Sequence, residues 1–290
     1  MALCLCAPCK INLLLNVLGR RADGFHEIET VLYPVSVADR LHLNTGPADV
    51  EFSCDDPALP AGQANLVVRA ADAFLARASI RSGVRLHLEK RIPVAAGLGG
   101  GSSDAAHTLV ALNDLFGRPL SRETLNQLAA ELGSDVPFFL DRGPALATGR
   151  GERIRRLGVL KALNGLWLFM LHPGFGVSTP WAYKALARFP DALNGVPGRA
   201  SRLIDALTAG DPSSAVGLFY NALEAPVLAK YPILALYQKF LREEGALAAM
   251  MSGSGSATFA LAPDEATARR LRDRFLGKFG SSCWTAVVAV

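Results

Sequence analysis

One glycine-rich segment constrains this chain more than any other feature of its sequence. It runs from Pro93 to Ala106 and reads PVAAGLGGGSSDAA. An alternating strand at 84–88 precedes it and a helix follows, for which Ser102 or Ser103 is placed to act as the N-terminal cap. Glycines let backbone N–H groups approach a ligand, and a helix start adds unpaired donors and the positive end of its dipole. The segment therefore predicts an anion site, most simply a phosphate-binding loop.

Two common phosphate loops do not fit these residues. The P-loop ends in Gly-Lys followed by Ser or Thr, whereas Gly101 is followed by Ser102. The dinucleotide fingerprint needs a third Gly or Ala three residues after the second, and counting from Gly97 and Gly99 that position is again Ser102. A flexible glycine hinge beside a helix is the alternative to a ligand site. The loop alone does not choose among nucleotide binders.

Composition limits the class of protein. The chain has 290 residues, of which 50% are hydrophobic and 19% charged, so it should fold into about two compact domains. The longest apolar windows are far shorter than the about 20 residues of a membrane span, and no basic leader precedes the first apolar run, so we expect a cytoplasmic protein without a membrane partner.

The cysteines and the net charge limit the ligands. Cys4, Cys6 and Cys9 lack a second Cys or His pair at zinc spacing, so we expect no zinc site there. A net charge of +4 without long basic runs favours anionic small substrates over nucleic acid.

Periodicity divides the chain near Gly158, into a domain at 1–158 and a domain at 159–290. The first third alternates like strands, with Ile11, Leu13, Leu15 and Val17 on one face. Further strands are expected at 28–33, 41–43, 166–171 and 284–290, with a strand, a Ser-Gly turn and a strand across 247–261. Helices are expected after a cap at Asn65, after the glycine loop, and at 121–132, 180–187, 201–208, 213–223, 226–244 and 264–275, with a loop at 194–198.

Three motifs together resemble the GHMP kinases. The glycine loop is similar to that family's nucleotide loop, Ala7–Leu15 to its N-terminal motif, and Met251–Phe259 to its third motif, a glycine loop of the C-terminal domain. The resemblance implies an α+β fold with an N-terminal ribosomal-protein-like βαβ domain, a left-handed crossover in it, and a ferredoxin-like C-terminal domain. It also implies an active site in the cleft between them. ATP would be the co-substrate with magnesium expected, and the ATP-binding residues would be Pro93, Gly97, Leu98, Gly99, Gly100, Gly101, Ser102, Ser103 and Asp104.

Within that family, three segments resemble the members whose substrate carries a cytidine diphosphate: 21–26, 133–138 and 149–152. The resemblance implies that Phe25 and Tyr183 stack on the cytosine while His26 reads its edge. The family usually has Tyr where Phe25 stands and Ala where Cys9 stands, so stacking is retained and a hydroxyl is lost. Phe25 as a cover for the core and Tyr183 as a core residue are the plainer interpretations. The remaining substrate contacts would come from Asn12, Thr179, Gly253 and Ser254.

The resemblance also implies the catalytic pair. Lys10 and Asn12 lie two apart on a strand, so both side chains leave one face, which is either a ligand face or a solvated one. Lys10 would assist the reacting hydroxyl, aspartate or γ-phosphate, and Asp135 would be the general base. Without the resemblance, Asp135 is more simply the cap of a short helix. Magnesium ligands stay unassigned, with Ser103, Asp104 and Glu152 as candidates.

Three other functions compete with this prediction. Another GHMP kinase, for homoserine or mevalonate, would have no base to stack on Phe25 or Tyr183. A decarboxylase or a ligand sensor of the same fold would lack kinase activity, and the presence of both Lys10 and Asp135 counts against the sensor. An RNA-binding module would bind in a salt-dependent way without turning over ATP. The sequence is compatible with either a monomer or a homodimer.

Overall fold

The fold comes from a computed structural model, which describes residues 3–46 and 49–290. The chain divides into two compact units that do not follow chain order. Of the described residues, unit 1 comprises those within 1–9, 37–92 and 99–142, and unit 2 comprises those within 10–36, 93–98 and 143–290. Two long strands, β1 (Leu3–Arg20) and β2 (His26–Gly46), supply residues to both. The division expected at residue 158 stays a prediction.

Unit 1 carries a βαβ arrangement. Its other elements are β3 (Val50–Cys54), α1 (Leu66–Arg77), β4 (Gly83–Glu89), α2 (Gly100–Leu115), α3 (Arg122–Leu132) and a 3₁₀ turn (Val136–Leu140). Strands β3 and β4 pair in parallel on either side of α1, and β4 pairs antiparallel with residues 40–46 of β2. Asn65 caps α1 by accepting the Val67 N–H, as expected. Arg85 and His87 face solvent while Leu86 and Leu88 are buried, so one face of β4 is exposed to water.

Unit 2 contains the remaining elements. They are β5 (Ala145–Gly149), β6 (Arg153–Arg156), β7 (Trp167–His172), α4 (Thr179–Ala185), α5 (Pro190–Leu193), α6 (Arg199–Ala209), α7 (Pro212–Val216), β8 (Tyr220–Asn221), α8 (Glu224–Lys230), α9 (Pro232–Glu243), β9 (Ala248–Met251), β10 (Thr258–Ala262), α10 (Glu265–Phe279) and β11 (Trp284–Ala289), with 3₁₀ turns at Lys161–Leu163 and Leu186–Arg188. Strand β5 pairs with β2 and β6, and β8 pairs in parallel with β1 at Leu14 and Leu15.

The second sheet of unit 2 confirms the ferredoxin-like expectation. Its order is β11-β7-β10-β9 with every pair antiparallel, which is the order of a split βαβ fold. An aromatic cluster of Phe169, Tyr237, Phe240 and Phe275 packs beneath it. Among the described residues, no helix is both long enough and apolar enough to cross a bilayer.

Several expected boundaries were wrong. Residues 28–33 and 41–43 are parts of one strand, β2. The helix expected at 226–244 is two helices interrupted at Tyr231, because the residue before Pro232 is disfavoured in the α conformation. The helix expected at 213–223 stops at Val216, and strand β8 follows. Strands β3, β5 and β6 were not anticipated.

Candidate active site

Lys10 lies on β1 in unit 2, where both faces of the strand are covered. Lys10 is 2% exposed and Asn12 3%, so the interpretation of this face as solvated is wrong. The Lys10 ammonium donates to Asn12 Oδ1 at 2.6 Å and to the Gly97 carbonyl at 2.9 Å. Burying an ammonium is costly unless it is hydrogen-bonded, so these contacts specify where the positive charge is held.

Asn12 has its amide orientation set by its neighbours. Its Nδ2 donates to Thr30 Oγ1 at 2.9 Å, and the Thr30 hydroxyl donates to the Leu14 carbonyl at 2.5 Å. The Ser252 hydroxyl lies 3.4 Å from Asn12 Oδ1 and donates to the Gly97 carbonyl at 3.0 Å. The oxygen of Asn12 is therefore directed at the Lys10 ammonium.

The loop at 252–256, between β9 and β10, closes around the same lysine. Gly253 has a φ of +56°, and a Cβ there would lie 2.9 Å from the Gly97 carbonyl and 3.2 Å from Lys10 Nζ. Only glycine suits both the backbone angle and the space. Asn221 on β8 holds this loop by donating to the carbonyls of Met251 and Gly253, at 2.8 and 2.9 Å. Sequence reasoning missed Asn221, because no motif links position 221 to the loop.

The first half of the nucleotide loop belongs to unit 2. Gly97 has a φ of +80°, and a Cβ there would lie 2.1 Å from the Ser252 carbonyl. The Leu98 carbonyl accepts the backbone N–H of Lys10 at 2.9 Å. The Leu98 side chain is buried, and Pro93 at the start of the loop is half-buried. Of the residues expected in the site, Asn12 and Gly97 thus bind the Lys10 ammonium, and Gly253 lies close to all three.

The second half of the loop, from Gly99 onward, belongs to unit 1. Helix α2 begins at Gly100, and its N-cap is Gly99 with a φ of +72° and no side-chain cap. The expectation that Ser102 or Ser103 caps the helix was wrong, because the three consecutive glycines allow the helix to start earlier. Gly101 is exposed and Ser102 half-buried, while the Ser103 and Asp104 side chains point into the unit. The start of α2 therefore presents backbone N–H groups with little side chain over them.

Asp135 precedes the 3₁₀ turn Val136–Leu140 in unit 1. The interpretation of Asp135 as a helix cap was wrong, because its side chain makes no capping hydrogen bond. Every residue of the turn is buried, and the turn packs against α2 and α3. The backbone that follows Asp135 is therefore held in place by packing within unit 1.

Four expected substrate-binding residues form two contacting pairs in unit 2, His26 with Tyr183 and Thr179 with Ser254. The His26 and Tyr183 rings stack with centroids 5.0 Å apart at 30°. Burial, and to a lesser extent the Arg20 charge, lower the pKa of His26, so its imidazole is neutral at pH 7 and offers one donor and one acceptor. The hydroxyls of Thr179 and Ser254 lie 2.8 Å apart. Phe25 is 49% exposed with the Arg150 guanidinium 5.0 Å from its ring centre, so it does not cover the core.

Comparison with known proteins shows the family. The N-terminal domain model of the GHMP kinases matches residues 65–143, and the C-terminal model matches 198–281. A relative from Pelotomaculum thermopropionicum is 43% identical over 93% of this chain and 92% of its own length. This chain belongs to the GHMP kinase family, and it is an enzyme that transfers phosphate to an alcohol.

The relatives show which members of the family this chain is similar to. The P. thermopropionicum protein bears the name 4-diphosphocytidyl-2-C-methyl-D-erythritol kinase. A crystal structure of a 4-(cytidine 5'-diphospho)-2C-methyl-D-erythritol kinase matches 99% of this chain and 100% of its own, with 37% identity and a TM-score of 0.81. The homoserine kinase of Cytophaga hutchinsonii, at 21% identity and a TM-score of 0.78 over 100% of this chain and 95% of its own, shares the fold alone.

Proposed function

We propose that this protein uses ATP to phosphorylate the 2-hydroxyl of 4-diphosphocytidyl-2-C-methyl-D-erythritol, in the methylerythritol phosphate route to isoprenoids. The observation that carries the proposal is the buried ammonium of Lys10, held at the nucleotide loop by Asn12 and the Gly97 carbonyl. Phosphoryl transfer needs positive charge near the transferring group, which this ammonium would supply. The names of the relatives suggest the substrate.

In the proposed reaction, the Asp135 carboxylate accepts the proton of the substrate hydroxyl. The hydroxyl oxygen forms a bond to the γ-phosphorus while the bond from that phosphorus to the β-phosphate oxygen breaks, so ADP leaves. Lys10 stabilises the negative charge that develops on the transferring group. Phosphoryl transfer depends mostly on positioning and electrostatic stabilisation, so a carboxylate and a fixed cation are a sufficient protein contribution.

Magnesium is expected to accompany ATP. No group of three or more His, Cys, Asp or Glu side chains among the described residues is arranged to hold a metal ion. Of the three candidate ligands, Ser103 and Asp104 are enclosed within unit 1, and Glu152 accepts the Arg150 N–H at 2.8 Å. This donor set suits an ion held mainly by the nucleotide's own phosphates, as Mg²⁺ often is. When bound, the ion would neutralise charge on the β- and γ-phosphates.

Three side chains support the substrate suggested by the relatives: the neutral His26, the exposed ring of Phe25 and the half-buried ring of Tyr183. A cytosine needs flat apolar surfaces and a donor and acceptor at its edge, which these side chains offer. Homoserine and mevalonate have no ring to place there.

We also propose, on sequence grounds, a cytoplasmic location, a monomer or homodimer, and no nucleic-acid partner. The boundary at residue 158 and an active site between the domains likewise remain proposals.

The test is ADP release measured with four acceptors in parallel: the cytidine-bearing substrate, homoserine, mevalonate and galactose. We expect turnover with the first alone. Turnover of mevalonate or homoserine alone would replace the substrate assignment, and RNA binding without ADP release would overturn the kinase proposal. The Asp135→Asn protein serves as a background control for contaminating kinases.

A further inference from the structure

Three ionisable side chains buried in unit 1 take no part in the proton transfer and phosphoryl transfer proposed above. The Lys90 ammonium lies between two carboxylates, Asp39 and Asp104, with 3.0 Å to Asp104 Oδ2 and a shorter contact to Asp39 Oδ2. Lys90 is 8% exposed, Asp104 2% and Asp39 0%. We call these three residues the charged triad.

The charged triad joins three segments around the nucleotide loop. Asp39 is on β2, Lys90 directly follows β4, and Asp104 is the fifth residue of α2. Asp39 Oδ1 also accepts the N–H groups of Arg91 and Ile92, at 2.6 and 2.9 Å. The chain entering the loop is thereby fixed to β2 by backbone as well as side-chain bonds.

The first turn of α2 rests on the residues that the charged triad fixes. A Cβ built on Gly100, the first residue of α2, would lie 3.0 Å from Ile92 Cγ2 and 3.4 Å from Lys90 Nζ. A displacement of Lys90 or Ile92 would therefore move the helix start or leave a gap beneath it. Because the donors of a helix start are fixed to its backbone, they would move with it.

The charged triad is a costly way to stabilise a fold. Buried ion pairs often contribute little net stability, since desolvation offsets the attraction between the charges. Here the burial of Asp104 raises its pKa to about 7 in spite of the Lys90 charge, with the Asp39 charge adding to the rise. The second oxygen of Asp104, Oδ1, is buried without a hydrogen-bond partner among the described residues. Such an arrangement is more readily explained by the geometry it imposes than by stability.

We propose that Lys90, Asp39 and Asp104 are positioning residues, which hold the first turn of α2 where its N–H groups receive the phosphates of the nucleotide. None of the three acts as a catalytic residue in this proposal. It rests on the proposed function only in taking ATP as the nucleotide, and it makes no use of the acceptor substrate.

The test measures the affinity for a non-hydrolysable ATP analogue, AMP-PNP with magnesium, by titration calorimetry. It compares wild type with Lys90→Met, Asp104→Ala and Asp104→Asn, and it needs no acceptor, so a wrong substrate assignment would not affect it. Lys90→Met and Asp104→Ala should weaken binding by roughly tenfold to a hundredfold, the scale of one lost hydrogen bond to a charged group. Asp104→Asn keeps an oxygen for Lys90 and should restore much of the affinity.

The matched control is Asp114→Asn at the far end of α2, where Asp114 pairs with Arg118 on the surface. It should bind the analogue as wild type does. Equal affinity in Asp104→Ala and wild type, with only the melting temperature lowered, would overturn the proposal and leave the charged triad a purely structural feature. If Lys90→Met does not fold, the comparison of Asp104→Ala with Asp104→Asn decides the matter alone.

Discussion

The two units each bury a lysine beside a part of the nucleotide loop, and they hold it in different ways. Lys10 in unit 2 donates to an amide oxygen and a backbone carbonyl, Asn12 Oδ1 and Gly97 O. Lys90 in unit 1 donates to two carboxylates, Asp39 and Asp104. The acceptors of Lys10 lie on its own strand and in the loop, whereas those of Lys90 come from a strand and a helix.

The difference suggests two roles for the same residue type. Lys90 ties separate segments together, which suits a residue that sets the shape of the loop. Lys10 is held at the loop itself, against Gly97 and close to Gly253, which suits a residue that acts on a ligand. On this account, substitutions of Lys10 should reduce the rate of the chemical step, and substitutions of Lys90 should reduce nucleotide affinity.

The largest effect is expected at Asp135. Asp135→Asn should fold and bind AMP-PNP normally but lose between about 100-fold and 10,000-fold in kcat, because the amide cannot accept the hydroxyl proton. Single-turnover ADP formation measures this loss. The surface substitution Asp273→Asn is the control, and a kcat within a factor of two of wild type would exclude Asp135 as the base.

Lys10→Met should come next, with kcat reduced about 100-fold or more because the cation at the transferring phosphate is lost. The fold should persist, since the Ser252 hydroxyl still donates to the Gly97 carbonyl and approaches Asn12 Oδ1. Steady-state kinetics together with AMP-PNP calorimetry separate the rate from the affinity. The exposed Lys239 provides the matched Lys→Met control. A Lys10→Met protein that lost only nucleotide affinity would remove the distinction between the two lysines.

Tyr183→Ala should have a smaller and more selective effect. Stacking of a base on an aromatic ring is worth about 1–3 kcal/mol, so KM for the cytidine-bearing substrate should rise roughly tenfold while KM for ATP is unchanged. Phe25→Tyr, which keeps the ring, should leave both constants near wild type. An unchanged KM for the cytidine-bearing substrate in Tyr183→Ala would return Tyr183 to the status of a core residue.

The smallest effect concerns stability and pH. In the folded protein, burial raises the pKa of Asp104 from 3.8 to about 7, with Asp39 adding to the rise and Lys90 opposing it. Between these values the folded state retains a proton that the unfolded state releases, so stability falls as the pH rises through this window. Asp104→Asn should reduce that fall by about 1 kcal/mol or more in urea unfolding at pH 4.5 and 7. Asp114→Asn should lose as much stability between pH 4.5 and 7 as wild type does. An equal loss in Asp104→Asn would contradict the raised pKa of Asp104.

What the sequence predicted well was local. Asn65 caps its helix as expected, because a cap and the N–H group it accepts lie within three residues. The helix expected at 121–132 runs over Arg122–Leu132. The site residues near Lys10 could be named because each stands in a contiguous motif. The GHMP kinase resemblance carried the fold class, which the strand orders and the comparisons confirm.

What the sequence did not predict depends on distant pairings. Asn221 holds the loop at 252–256, and Asp39 meets Lys90 across 51 residues of chain, so no local pattern relates them. The start of α2 was misplaced because a serine is a better cap than glycine in isolation, yet Gly99 adopts the left-handed backbone that lets the helix begin directly. The two side-chain pairings thus depend on tertiary contacts, and the start of α2 depends on the backbone freedom of glycine.

The most direct test of the proposed function is the ³¹P NMR spectrum of the product formed from ATP and 4-diphosphocytidyl-2-C-methyl-D-erythritol. Carbon 2 of that substrate carries a methyl group and no hydrogen, so a phosphate on its hydroxyl has no three-bond coupling to a proton. We predict one new phosphomonoester signal that is a singlet in the proton-coupled spectrum. A doublet or a triplet would place the phosphate on carbon 3 or carbon 1, and the absence of any new signal would contradict the proposed kinase activity on this substrate.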